Sequence, residues 1–73
     1  MKKKISIVSS AFNEQDNVRE LYERVKAEMS KHADKYDYEQ IVLDNGSTDH
    51  TLEELRKITG EDKNFKVIVG DEI

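Results

Sequence analysis

Three short apolar runs, Ile5–Val8, Ile41–Leu43 and Phe65–Val69, are separated from one another by long polar intervals, and this spacing constrains the fold more than any other feature of the chain. Each run is rich in β-branched or aromatic residues and bounded by polar or small ones, which predicts a strand. Each interval carries an apolar stripe of helical period. In the first, Val18, Leu21, Tyr22, Val25 and Met29 fall on one side of a helix over residues 17–32, with Arg19, Glu20, Glu23, Arg24, Lys26 and Glu28 on the other. Asn13 or Asp16 can cap its start. In the second, Leu52, Leu55 and Ile58 form the stripe. Thr48 or Asp49 is the expected cap, Thr51 with Glu54 fits a capping box, and Gly60 is the expected left-handed stop.

The predicted order is therefore strand (4–9), helix, strand (39–43), helix, strand (64–70), in one domain. Crossovers this long permit parallel pairing. Because such crossovers are right-handed in about 98% of cases, two steps in the same direction give strand order 3-2-1 with both helices on one face. The other face stays bare, yet all three strands carry apolar residues on both sides: Ile5 and Ile7 against Val8, Ile41 and Leu43 against Val42, Phe65, Val67 and Val69 against Ile68. Parallel strands are normally covered on both faces. The expectation is a truncated α/β domain, a three-stranded βαβαβ half of a doubly wound sheet. Its bare face would be covered by a second copy in a homo-oligomer, or by sequence outside these residues.

At 73 residues the chain buries only about 60% of its unfolded surface, so marginal stability is expected. It has no Cys, and His32 and His50 lack ligand-like spacing, so neither disulfide nor structural metal is implied. Twelve basic and 16 acidic residues leave a net charge of −4, and Lys2-Lys3-Lys4 is the one basic run. That balance argues against nucleic acid. No run approaches the ~20 apolar residues of a membrane span, and Lys2–Val8 lacks the core of a signal peptide, so a cytoplasmic location is expected.

In open α/β sheets ligands bind beyond the carboxyl ends of the strands. The first such end reads Ser10-Ala-Phe12-Asn-Glu14 and the second Asp44-Asn45-Gly-Ser-Thr-Asp49. The first contains no Gly, which excludes both the dinucleotide fingerprint and the phosphate loop. What remains is a ring at Phe12, a carboxylate at Glu14, and the Asp44 and Asn45 groups, a set suited to a nucleoside. Each residue also has a plainer reading. Phe12 fits a core position, Asp44 and Asn45 before Gly46 fit a turn, Glu14 fits a first helical turn, and His50 a solvated loop.

At these two ends the chain resembles the family 2 glycosyltransferases of GT-A fold. Ile5-Ser-Ile-Val-Ser-Ser-Ala-Phe-Asn-Glu14 is similar to the family's apolar strand followed by Pro-x-Tyr-Asn-Glu. Ile41-Val-Leu-Asp-Asn-Gly-Ser-Thr-Asp-His-Thr51 is similar to its Asp-Asp/Asn-Gly-Ser-Thr-Asp-Gly-Thr block. The helix Asn17–Val25 and the Asp-Asn-Gly-Ser-Thr-Asp form look most like the polyprenyl-phosphate sugar transferases of that family. The resemblance implies a single partial GT-A nucleotide-binding domain over residues 1–73, taking a nucleoside-diphosphate sugar, a UDP-sugar first of all. Carried over by position, Phe12 stands for the Tyr beside the base, Ser10 for the Pro, Glu14 for the acid near the ribose, and Asp44 and Asn45 for the acidic pair facing base and ribose. Phe12 lacks the phenol hydroxyl, Ser10 loosens the loop, and Asn45 removes a charge.

The family's Mg²⁺- or Mn²⁺-binding Asp-x-Asp motif and its catalytic base lie later than residue 73. Asp71-Glu72 comes too early to be that motif, so no metal is held by an evident motif and no catalytic residue is assigned. The implied parent chemistry is inverting sugar transfer to a hydroxyl or lipid phosphate, with these residues alone expected to be inactive. A full-length relative would be associated with the cytoplasmic side of a membrane. The competing reading is a non-enzymatic half-Rossmann module for binding or oligomerisation.

Overall fold

The computed structural model describes residues 2–70; Asp71-Glu72, weighed above as a metal pair, lies outside them. Five elements follow in the expected order: β1 (Lys3–Ala11), α1 (Val18–Ser30), β2 (Tyr36–Asp44), α2 (Thr51–Glu61) and β3 (Phe65–Val69). The strands form one parallel sheet with β2 in the centre, β1 on one edge and β3 on the other. The βαβαβ half of a Rossmann-like domain is thus as expected.

Both helices cover the same face. Val18 and Tyr22 of α1 and Leu55 and Ile58 of α2 close a core with Ala11, Val42 and Phe65, and Val67 packs against it. Leu55 and Ile58 are completely buried. At roughly 1.5–3 kcal/mol for each fully buried aliphatic or aromatic side chain, this cluster supplies most of what holds the chain together. Tyr22 meets Phe65 edge to face, 5.3 Å between ring centroids, and its hydroxyl donates to Asp62 Oδ2 at 2.7 Å. Burial first, and that bond second, push the Tyr22 phenol up to about 12. A two-pronged ion pair from Arg19 to Glu61, 3.1 and 2.8 Å, ties α1 to the end of α2.

Several boundaries depart from expectation. The second strand begins at Tyr36 rather than near Glu39, since the register pairs Lys3 with Tyr36 and runs unbroken to Ala11 with Asp44. Over residues 36–40 the tyrosines are half-buried on the helix side, whereas Asp37 and Glu39 lie on the other, a two-residue period inside a segment that composition reads as a loop. Gly60 is not a left-handed stop: it sits inside α2, which ends at Asp62 in extended backbone. Asp62 makes the stop itself, as Oδ1 accepts from the Asn64 N–H while Oδ2 accepts from Tyr22. At α2 the expected Asp49 does meet a first-turn donor, its Oδ1 accepting from the Thr51 N–H at 2.9 Å, although it stands one residue ahead of the cap position. Asn17 is the cap residue of α1 and His50 that of α2, without side-chain cap bonds. Asn13 is engaged elsewhere, and Glu54 pairs with Arg19 and Lys57 instead of closing a box. Leu21, placed in the apolar stripe of α1, is 44% exposed.

The uncovered face is divided. Toward the strand tips it is apolar, with Val8 and Ile68 exposed and Ile41 and Leu43 half-buried. Toward the strand starts it is ionic. Glu39 accepts from Ser6 Oγ at 2.8 Å and Lys66 Nζ at 2.9 Å, and Lys4 Nζ stands 3.7 Å away.

Candidate functional site

The carboxyl ends of β1 and β2 adjoin. Ala11 pairs with Asp44, and the Asn45 N–H extends the ladder by donating to the Ala11 carbonyl at 3.1 Å. Phe12 and Asn45 therefore begin two loops side by side. Phe12 is 55% exposed, which removes the core reading of this residue.

Asp44 closes its own turn. It is 1% exposed, and its Oδ1 accepts from Ser47 Oγ at 2.5 Å while Oδ2 accepts from the Ser47 N–H at 3.4 Å. Gly46 gives this turn its shape, with φ at +77°, a value that disfavours any side chain. The plain turn-former reading thus holds for Asp44, whereas Asn45 is exposed beside Phe12. Ser10 points to the uncovered face, opposite the side on which Asp44 is buried, so the structure does not bring these two together. Glu14 is exposed and lines a shallow pocket with Asn17, Glu20, Leu21 and Arg24 on the flank of α1; its carbonyl accepts from the Asn17 and Val18 N–H groups. His50 is exposed, with Nδ1 3.4 Å from Glu53.

The two loops are joined by bonds that no local sequence pattern announces. The Asn13 N–H donates to Ser47 Oγ at 3.0 Å, and Asn13 Oδ1 accepts from the Thr48 N–H at 2.8 Å. The Glu14 N–H donates to Thr51 Oγ1 at 2.7 Å, and the His50 N–H to Gln15 Oε1 at 2.9 Å. Thr51 is fully buried and its hydroxyl donates to Oδ1 of Asp49, whose carboxyl is held below the usual range by that bond. Gly70, just past β3, is likewise unannounced. A Cβ there would stand 3.2 Å from the Asp44 carbonyl and 3.6 Å from Asn45 Oδ1, so a side chain at this position would press on the tip of the second strand.

A three-stranded parallel βαβαβ sheet of this topology agrees with the comparison to known proteins. The profile of glycosyl transferase family 2 matches residues 6–72. This chain belongs to that family. It is also 41% identical over 58 residues to the dodecaprenyl-phosphate galacturonate synthase of Rhizobium johnstonii, a match covering 80% of the chain and 17% of that protein. The chain thus spans about a sixth of the length of this family 2 relative. Within the described residues no helix is long and apolar enough to cross a membrane.

A divalent ion, which the resemblance implies for the whole family domain, does not fit the described residues. They hold no group of three or more His, Cys, Asp or Glu able to bind a metal, and at the strand tips Asp44 is engaged by Ser47 and Asp49 by Thr51.

Proposed function

We propose that this chain forms the nucleoside-binding part of a sugar-nucleotide donor site in a family 2 glycosyltransferase of the polyprenyl-phosphate sugar transferase type. The whole enzyme would transfer a sugar from a nucleoside diphosphate, UDP in the first instance, to a hydroxyl or a lipid phosphate, at the cytoplasmic side. The observation that carries the reading is the Asn45-to-Ala11 hydrogen bond, which sets Phe12 and Asn45 side by side at the mouth of the sheet. In this reading the Phe12 ring stacks on the base and the Asn45 amide bonds its polar edge or the ribose. Glu14 approaches the ribose, Asp44 holds the turn that presents Asn45, and Ser10 borders the mouth from the uncovered face.

The donor diphosphate needs cations to offset its charge, and Mg²⁺ or Mn²⁺ would come from residues of the family domain outside this chain. Residues 1–73 alone are accordingly expected to bind without turning over. The test is titration with UDP and a UDP-sugar, with and without divalent ion, followed by amide NMR. Shifts centred on Phe12, Asn45 and Gly46 are expected. Unchanged spectra at millimolar ligand would instead favour a second reading, a non-enzymatic module that associates through the uncovered face, where Val8 is 59% exposed and Ile68 37%.

A further inference from the structure

We infer that Asn13 is a positioning residue that locks Phe12 and the turn Asn45–Thr48 into one preformed cradle, an inference that rests on the nucleoside-site reading above. Among the described residues Asn13 is the non-glycine residue with φ in the left-handed region, at 50°. Asn tolerates that conformation better than most side chains, but it still carries a cost that contacts elsewhere must offset. Here the kink aims the N–H and the side-chain Oδ1 of Asn13 at the second loop. The N–H reaches Ser47 Oγ, and Oδ1 takes the Thr48 N–H at 2.8 Å and the Thr48 hydroxyl at 3.4 Å.

The direction of the relay is fixed by proton count. A serine hydroxyl has one proton, and that of Ser47 goes to the buried carboxylate of Asp44. Its lone pair is then left to accept from Asn13. A continuous chain of bonds therefore runs from the buried end of β2, through Ser47, to the loop after β1, between residues 34 apart in sequence.

Ala11, Glu14 and Gln15 are also bonded to the second loop or the start of α2. Within Ala11–Gln15, Phe12 is thus held by bonds on both sides of it while its ring stays more than half exposed. An exposed ring adds little to the core. On a fixed loop it is a platform whose ordering cost is met before any planar ligand arrives.

Two variants and one uncharged probe test this. Asn13→Gly keeps the left-handed backbone and removes the Oδ1 acceptor; Asn13→Asp restores the acceptor. Uridine is the probe, since without phosphate it is little affected by the added carboxylate. Without ligand, exchange of the Thr48 amide is expected to quicken about tenfold in Asn13→Gly and to recover in Asn13→Asp, the scale of one lost hydrogen bond. The uridine Kd from NMR titration is expected to weaken about tenfold in Asn13→Gly and to return within about threefold in Asn13→Asp. A clamp that serves stability alone would lower Tm and leave Kd unchanged. Equal uridine affinity in Asn13→Gly and the unsubstituted chain overturns the inference, as does a loss that Asn13→Asp fails to restore. Absence of binding by the unsubstituted chain overturns the site reading and this inference with it. The two failures are distinct, because in the first the unsubstituted chain still binds.

Discussion

Gln40 is the side chain most at odds with its surroundings. It sits on the helix-covered face of the central strand at 2% exposure, paired in register with Ile7 and Phe65, and its Oε1 and Nε2 have no partner among the described residues. A buried amide without hydrogen bonds costs about 1–3 kcal/mol. Gln40→Met, similar in length and apolar, is expected to raise stability by about that amount, a Tm gain of roughly 4–8 °C per kcal/mol in a domain this small. Thermal melts followed by circular dichroism check it; a lower Tm would mean that the amide is satisfied by water in solution. Nothing in the residue type announces this site, for Gln at the head of an apolar run reads as a strand edge. Phe12 misleads in the opposite sense, because aromatic residues are core by habit and this one is not. Asp44 and Asn45 before Gly46 were legible as a turn, whereas the bonds of Asn13 and Thr51 across the loops were not, since they join residues far apart in sequence.

Among the elements, the presence and core-facing stripe of each helix were legible because their apolar period is set by the core they cover, and their ends were not. Gly60 shows why. Its backbone is helical and a Cβ there would meet nothing within 4 Å, so Gly60→Ala is expected to stabilise by about 0.4–1 kcal/mol, by restricting the unfolded chain and favouring the helix. Urea unfolding checks it, and a loss would show that the end of α2 needs glycine after all. The sheet makes a pH prediction. Hydrogen bonds from Lys66, then Ser6, with Lys4 nearby, hold the Glu39 carboxyl at about 2, below its ordinary 4.5. A lowered carboxyl pKa contributes stability above the unfolded value and loses it as pH falls through the folded one. Stability should therefore decline between pH about 4.5 and 2, and Glu39→Gln should flatten that part of the curve in urea melts taken across the range. Asp49, Glu61 and Asp62, lowered by Thr51, Arg19 and Tyr22 respectively, act with the same sign. Tyr22 acts at the other extreme, its contribution fading as pH rises from 10 toward 12.

For the molecule as a whole, the apolar half of the uncovered face is expected to drive association. Static light scattering is expected to show mass rising with concentration, and Val8→Lys combined with Ile68→Lys to abolish the rise. A constant monomer mass would sink association through this face. The topology itself was readable because two long crossovers leave a parallel sheet few alternatives, yet how far the strands extend depended on pairing between β1 and β2 that neither segment shows alone. The stitching of the strand tips has a kinetic corollary. At the proposed site the described residues on both sides of the mouth are bonded to each other and to the sheet, so a nucleoside is expected to reach them ungated, at the roughly 10⁵–10⁷ M⁻¹s⁻¹ of simple docking, with differences in grip appearing in residence time alone.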